Sequence, residues 1–366
     1  MSLKKDKFSS LDKKYMRFAI NLANNQKGLT GTNPSVGCVI VKNKEIISYG
    51  VTGIKGRPHA ESIALKKNKS NILNSSLYVS LEPCSHYGKT PPCTKAIIDS
   101  KVKNVFYSIE DSDDKCFNKS KKILNSKRIF TKSGLLRIKA KKLYKNYDYI
   151  KKNKKPYVIG KIACSSNSYI YKNNKLITND HSRKVSHLLR YKNQGILTSY
   201  KTINSDNPKL NCRINGLESF SPFKLIIDKD LKINIGSYVV KNAKLNNTII
   251  FHNSKNVKKI NILKYNNLKL IFLKSNQHGS IELTEVLKKT YEIGIHNLLV
   301  ECGEFLTNKF LKEKLFNEFY LFKSSEKINS VNSISIRNIR KSLVKSFKSS
   351  KIVNTYLDKD SLIHYY

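Results

Sequence analysis

Tryptophan is absent from this chain, methionine occurs twice, and acid is scarce: 26 Asp and Glu stand against 69 Lys and Arg, a formal charge of +43. No apolar run approaches the roughly 20 residues that a bilayer span requires. The N-terminal MSLKKDKFSS lacks the apolar stretch of a signal peptide. Both absences argue against membrane-spanning or secreted classes and set the expectation of a soluble cytoplasmic protein. Cysteine is sparse and odd in number, seven residues from Cys38 to Cys302, which excludes a disulfide framework and leaves the thiols free or on metal. Arginine is scarcer than the charge suggests, nine against 60 lysines. The compact arginine stripe with interleaved aromatics that marks a nucleic-acid face is missing, and lysine mixed with asparagine along the whole chain reads as a solvated surface. Salt-sensitive attachment to polyanions follows from charge alone.

What is present suggests two domains, because 366 residues exceed the usual single-domain size. Leu11, Tyr15, Phe18, Ala19 and Leu22 recur at helical intervals and predict a helix over 11–26. Val36 to Lys42 and Glu45 to Thr52 read as a hairpin turned at Asn43 and Lys44. A helix opening at Pro58, a strand over 76–83, a helix begun by PPCTKAIIDSK with proline in its first turn, and a strand over 104–111 follow. A helix over 118–125 and a strand over 128–132 complete an α/β layer pattern. The charge-dense segment 139–155 has a second reading as an amphipathic helix through Leu143, Tyr147 and Ile150. The domain join is placed near Asn153, giving domains 1–153 and 154–366. Beyond it, YVIGKIACS, GILTS, FKLIIDKD, NTIIFHN, KLIFLK and NLLVECG are strand candidates. With helices near 180–191, 281–292 and 304–314 they predict a second α/β domain. The Ser- and Lys-rich last thirty or so residues predict only a closing strand or two.

His59 and Glu61 fall at the start of the helix opened by RPHAESIALK. Alone, H-x-E says little, because the helix dipole favours glutamate in a first turn. About 25 residues downstream, LEPCSHYGKTPPC supplies Cys84 and Cys93. One imidazole and two thiolates are three of the four tetrahedral ligands zinc prefers, and an open fourth position is the layout of a catalytic site. Removing an amino group from a pyrimidine by hydrolysis needs hydroxide near neutral pH, which zinc makes available. Glu61 is then the spare carboxylate, a general base that becomes a general acid. H-x-E followed by paired cysteines is the zinc-deaminase signature, here with a wider cysteine gap.

NPSVGCVIV, PHAE and LEPCSHYGKTPPC are similar to the N-terminal half of the bifunctional riboflavin-biosynthesis deaminase/reductase family. The eight residues between Cys84 and Cys93, His86, Lys89 and Thr90 among them, resemble that family; nucleoside and tRNA deaminases have a two-residue gap. The resemblance implies a cytidine-deaminase-like three-layer α/β/α domain acting on a phosphorylated ribosylamino-diaminopyrimidinone. It implies zinc on His59, Cys84 and Cys93, proton transfer by Glu61, and substrate contacts from Asn33, His86 and Lys89. Thr52 stands where the family usually has a histidine.

KKPYVIGKIACS, LITNDHSRKVSHLLR, GILTSYKTINSDNPKLNCR and LLVECG resemble the family's reductase half, to about residue 325. This implies a dihydrofolate-reductase-like α/β domain that uses NADPH to reduce the ring-opened ribose to a ribityl chain. Ala163, Leu176, Thr202, Asp206 and Gly303 would meet the cofactor, and Arg190, Leu210, Arg213 and Glu301 the substrate. This half also departs from its pattern. Asn167 and Ser168 replace an acid and a glycine, Leu176 replaces a tryptophan, and Glu304 replaces a proline where its charge would repel a pyrophosphate. An alternative is therefore a deaminase with a degenerate reductase half. A basic RNA-binding or RNA-editing protein is the alternative from another class, opposed by the cysteine gap and the second α/β domain. The family implies a homo-oligomer with a small-molecule partner, no specific nucleic acid and no membrane.

Overall fold

A computed structural model describes residues 8–68, 71–171, 176–243, 247–329, 331 and 333–366, and the chain divides into two units, Met1–Lys154 and Lys155–Tyr366. The first contains α1 (Ser10–Gln26), β1 (Gly37–Lys42), β2 (Glu45–Val51), α2 (Ala60–Lys67), β3 (Ser76–Val79), α3 (Cys93–Asp99), β4 (Asn104–Tyr107), α4 (Ser120–Ser126), β5 (Phe130–Ser133) and α5 (Arg137–Asn153). A capping box starts α1: the Ser9 hydroxyl accepts from the Asp12 amide and the Asp12 carboxylate accepts from the Ser9 amide. Asn43 and Lys44 take φ of 51° and 66°, the primed turn whose twist matches a two-residue hairpin.

The sheet order is β2-β1-β3-β4-β5. Strand β1 runs antiparallel to both neighbours, and β3, β4 and β5 are parallel. Two close approaches set the layers. A Cβ on Gly37 would collide with the Ala19 carbonyl of α1, and one on Gly50 with the Ala60 carbonyl of α2. Gly50 pairs with Cys38, so those two share a face and Gly37, one residue from Cys38, points to the other. Helices α1 and α2 therefore cover opposite faces, α5 joining α1 and α3 joining α2, with Met16, Ile40, Leu77 and Ile97 buried between. The strand expected over 76–83 is regular only to Val79. Beyond it Glu82 still donates its amide to the Ile109 carbonyl at 2.9 Å, while its carboxylate accepts from the amides of Asp111, Asn118 and Ser120 and from the Ser120 hydroxyl, clamping the loop before α4. The amphipathic reading of 139–155 corresponds to α5, which buries Ala140, Leu143, Tyr144 and Ile150.

The second unit opens with β6 (Tyr157–Cys164), β7 (Tyr169–Tyr171), α6 (Asp180–Tyr191), β8 (Gly195–Ser199), α7 (Tyr200–Asp206), β9 (Phe223–Ile227), α8 (Tyr238–Lys241), β10 (Thr248–His252) and α9 (Val257–Tyr265). It continues with β11 (Lys269–Phe272), α10 (Leu283–Glu292), β12 (Asn297–Glu301), α11 (Glu304–Lys312), β13 (Glu318–Lys323), β14 (Ser333–Ser335), α12 (Arg337–Ser346), β15 (Ser350–Ile352) and β16 (Ser361–Tyr365). Nine strands form one sheet in the order β11-β10-β9-β8-β12-β6-β13-β16-β15, and β14 pairs with β7. From β11 to β13 all pairs are parallel; β16 and β15 are antiparallel. Insertion of β12 between β8 and β6 makes a topological switch, and ligands of open α/β sheets bind beyond the strand ends at such a point. Phe251, Leu298 and Val300 of the sheet pack on Val286 and Leu287 of α10.

The tail corrects its expectation. Besides the closing hairpin of β15 and β16 it holds α12, which buries Ile339 and Leu343 beside Ile336 against Phe319, Leu321 and Tyr365. Few apolar positions carry this helix, Ile339 and Leu343 with Ile336 just before it, among four arginines and lysines, two serines and an asparagine. Among the described residues no helix is long and apolar enough to cross a membrane.

Candidate metal centre and cofactor cleft

His59 is the N-cap residue of α2, yet its ring makes no capping hydrogen bond. Its Nδ1 instead lies 3.2 Å from Cys93 Sγ and 3.6 Å from Cys84 Sγ. Ligands sharing one tetrahedral ion, with bonds of about 2.0 Å to nitrogen and 2.3 Å to sulfur, stand roughly 3.5 Å apart. The three donor atoms all lie within 4.8 Å of one another. Cys84 follows the end of β3 and Cys93 opens α3, whose first amide, that of Cys93, donates to Cys84 Sγ at 3.2 Å. A helix start thus faces the sulfur and favours its thiolate.

Electrostatics agree with a cation site. The Cys84 thiol is held down at about 4, first by a hydrogen bond from Cys93, against its burial, and then by His59 and the Cys93 amide. The Cys93 thiol is pushed up, first by its bond to Cys84 and then by burial, so two adjacent thiolates without a metal are unfavourable. Glu61 sits in the first turn of α2 with only 4% of its surface exposed. Burial, then the Cys84 charge, pushes it up to about 7, in the range where a group both takes and gives protons at neutral pH.

The surrounding cavity has a volume of about 120 Å³. Asn33 and His86 line it, as do Thr52, Asp111 and Lys151; Lys89 is exposed and does not. Asn33 Nδ2 donates to the Gly56 carbonyl at 2.9 Å, and the Thr52 hydroxyl is engaged by the backbone: its Oγ1 accepts from the Val36 amide at 2.9 Å. Arg57, Asp111, Asp113, Cys116, Tyr147 and Lys151 are wall residues that the sequence reading missed. Only Arg57 stood beside a motif, one position before PHAE.

In the second unit a cleft of about 510 Å³ opens at the ends of β8 and β9 and the start of α11, and Thr202, Asp206 and Gly303 line it together. Gly303 is the N-cap of α11, and a Cβ there would meet nothing within 4 Å. Helix amides and open space are what a cofactor pyrophosphate needs, and Lys201, Lys229 and Lys309, unnoticed in the sequence, add positive charge to the wall. Glu304 also lines it and accepts from Asn308 Nδ2. Ala163 and Leu176 are not on this wall. Ala163 packs near Phe322 and Leu362, and Leu176 is 66% exposed.

The expected substrate residues form a second cluster. Arg190 Nε and Nη2 donate to Glu301 at 2.8 and 3.0 Å, and Arg190 Nη1 donates to the Asn211 carbonyl at 3.1 Å. Arg213 Nη1 donates to Asn211 Oδ1 at 3.1 Å, and Leu210 precedes Asn211. Lys161 and His187, which the sequence reading missed, complete the group, 3.5 Å from Glu301 and 3.1 Å from the Asn211 carbonyl. Burial, then Arg190 and Arg213, holds His187 down at about 4. Glu301 ends β12 two residues before Gly303, so the cluster adjoins the cofactor cleft through the chain itself. Asn167 and Ser168, the departures after β6, serve the backbone. Asn167 bridges the amide and carbonyl of Ile328 at 3.1 and 2.9 Å, and Ser168, at φ 68°, accepts from Arg340 at 2.6 Å.

Comparisons with known proteins agree with this layout. The family model of the cytidine and deoxycytidylate deaminase zinc-binding region matches residues 9–109, and that of the RibD C-terminal domain matches residues 156–325. Riboflavin biosynthesis protein RibD of Aquifex aeolicus is 32% identical, covering 97% of this chain and 98% of the relative. That of Bacillus amyloliquefaciens is 33% identical over 85% and 84%. A crystal structure of the diaminohydroxyphosphoribosylaminopyrimidine deaminase/5-amino-6-(5-phosphoribosylamino)uracil reductase of Thermotoga maritima superposes with a TM-score of 0.80 at 28% identity, covering 97% and 98%. The expected fold class, a deaminase-like α/β unit before a reductase-like one, stands. By sequence, architecture and both halves together, the chain belongs to the RibD family of riboflavin-biosynthesis proteins.

Proposed function

We propose that the chain carries out two reactions of riboflavin synthesis, each in its own unit. The first deaminates 2,5-diamino-6-(5-phosphoribosylamino)pyrimidin-4(3H)-one, and the second reduces the ribosyl chain of the product to ribityl. The observation that carries this reading is the convergence of His59, Cys84 and Cys93 beside a buried Glu61. His59, Cys84 and Cys93 hold zinc, which supplies a water acid enough to react near neutral pH. Glu61 takes a proton from the attacking water on its carboxylate and returns it to the ring nitrogen. Glu61 then carries the second proton, from the hydroxyl added to the ring carbon, to the amino group; the C–N bond breaks, the carbonyl forms and ammonia leaves. Asn33, His86 and Lys89 position the substrate.

In the second unit Thr202, Asp206 and Gly303 bind NADPH, which supplies the hydride. Arg190, Arg213 and Leu210 hold the sugar phosphate, and Glu301 fixes Arg190 while accepting from sugar hydroxyls. The reading extends to a cytoplasmic homo-oligomer that takes small phosphorylated pyrimidines and no specific nucleic acid. Rescue of a riboflavin auxotroph lacking both activities tests it, together with NADPH consumption by the purified chain on the deaminated substrate. Rescue with NADPH consumption is the expected result. Rescue confined to a strain lacking only the deaminase would reduce the chain to one activity, and no rescue of either strain would refute the reading.

A further inference from the structure

The cations on the deaminase cavity wall are not equivalent. Lys151 is paired with Asp113 at 2.6 Å. His86 turns Nδ1 to the Cys116 sulfur at 3.2 Å, and among the described residues its Nε2 has no hydrogen-bond partner. Arg57, among the described residues, has no carboxylate within ion-pair distance. Its Nη1 donates to Thr90 Oγ1 in the loop between the two cysteines, so the guanidinium is anchored while its charge is unmatched.

Gly88 lies between them. A Cβ there would stand 3.8 Å from His86 Nε2 and 3.9 Å from Arg57 Nη2. An imidazole nitrogen and a guanidinium nitrogen therefore border one gap, kept open because residue 88 has no side chain, and Nε2 donates into it when Nδ1 accepts from the Cys116 thiol. The wall carboxylates do not compete for it: Asp113 is held by Lys151, Asp111 accepts from Tyr147, Glu82 accepts from backbone amides, and Glu61 is bonded to the Cys93 thiol. Thr52 offers nothing, because its hydroxyl is bonded to Val36.

We propose that Arg57 Nη2 and His86 Nε2 bind the phosphate monoester of the deaminase substrate over Gly88, with Arg57 as the residue that selects the phosphorylated compound. The inference rests on the deaminase reading and adds a residue to it. A guanidinium fork already fixed by one hydrogen bond meets phosphate oxygens with little further ordering, and a charge-assisted bond of this kind is stronger than a neutral one.

The test measures steady-state deamination of the phosphorylated substrate and of its dephosphorylated riboside by the zinc-loaded full chain. Arg57→Gln is expected to raise KM for the phosphorylated compound about tenfold or more, with kcat, bound zinc and the riboside KM unchanged. Arg57→Lys, which keeps the charge and loses the fork, should fall between. Thr90→Val, which removes only the anchor, should shift KM the same way by less and decides the matter if Arg57→Gln does not fold. An equal rise in KM for both compounds, or a fall in kcat at constant KM, would overturn the assignment. Unchanged kinetics in Arg57→Gln beside an active unaltered enzyme would sink this inference alone. An unaltered enzyme that deaminates neither compound would sink the deaminase reading itself.

Discussion

Arg190 grips Glu301 through two parallel hydrogen bonds, Nε to Oε1 at 2.8 Å and Nη2 to Oε2 at 3.0 Å, with both side chains nearly withdrawn from solvent. Burial by itself would raise the Glu301 pKa; the charges of Arg190 and Lys161 overcome it and hold the carboxyl at about 2. A carboxyl lowered on folding adds stability above its unfolded value near 4.5 and loses it as pH falls toward the folded value. Glu301→Gln should therefore destabilise the second unit by about 3 kcal/mol at pH 7, because two buried cations lose their partner. The difference from the unaltered chain should narrow between about pH 4.5 and 2, read by denaturant unfolding at several pH values. A constant difference would show that the pair is not ionised as described.

Thr52 closes the end of the first hairpin through its hydroxyl contact to Val36. Thr52→Val leaves a buried amide without its acceptor and should cost about 1–2 kcal/mol with one zinc still bound. Metal content and denaturant midpoint, measured on the same sample, check both halves of this expectation.

Gly303 and Glu304 make opposite predictions about the cofactor. Gly303→Ala puts a methyl where the structure leaves open space, so the fold should be untouched while KM for NADPH rises. Glu304→Gln removes a carboxylate from the same wall and should lower KM for NADPH, more at low ionic strength than at high. Initial rates over a range of salt concentration decide both.

The parts of this molecule legible in sequence were those with a repeated pattern or a fixed spacing. The metal triad was legible because H-x-E and two proline-flanked cysteines form a spaced motif, and β8 because a short apolar run reads as a buried strand. Arg57 was not, since one arginine beside a motif has no pattern and its meaning lies in the empty space over Gly88. Lys161 was hidden inside an apolar strand, where a lysine ordinarily marks an edge or a solvent face. Helix α12 was lost because Ile336, Ile339 and Leu343, set among basic and polar residues, are too few for periodicity to stand out.

The central claim is that a carboxyl buried beside a His/Cys/Cys metal centre moves the protons of deamination. Turnover per bound zinc in Glu61→Gln tests it most directly. Zinc should bind at the unaltered stoichiometry while turnover falls by about 10²–10⁴. Turnover per zinc equal to that of the unaltered chain would contradict the claim.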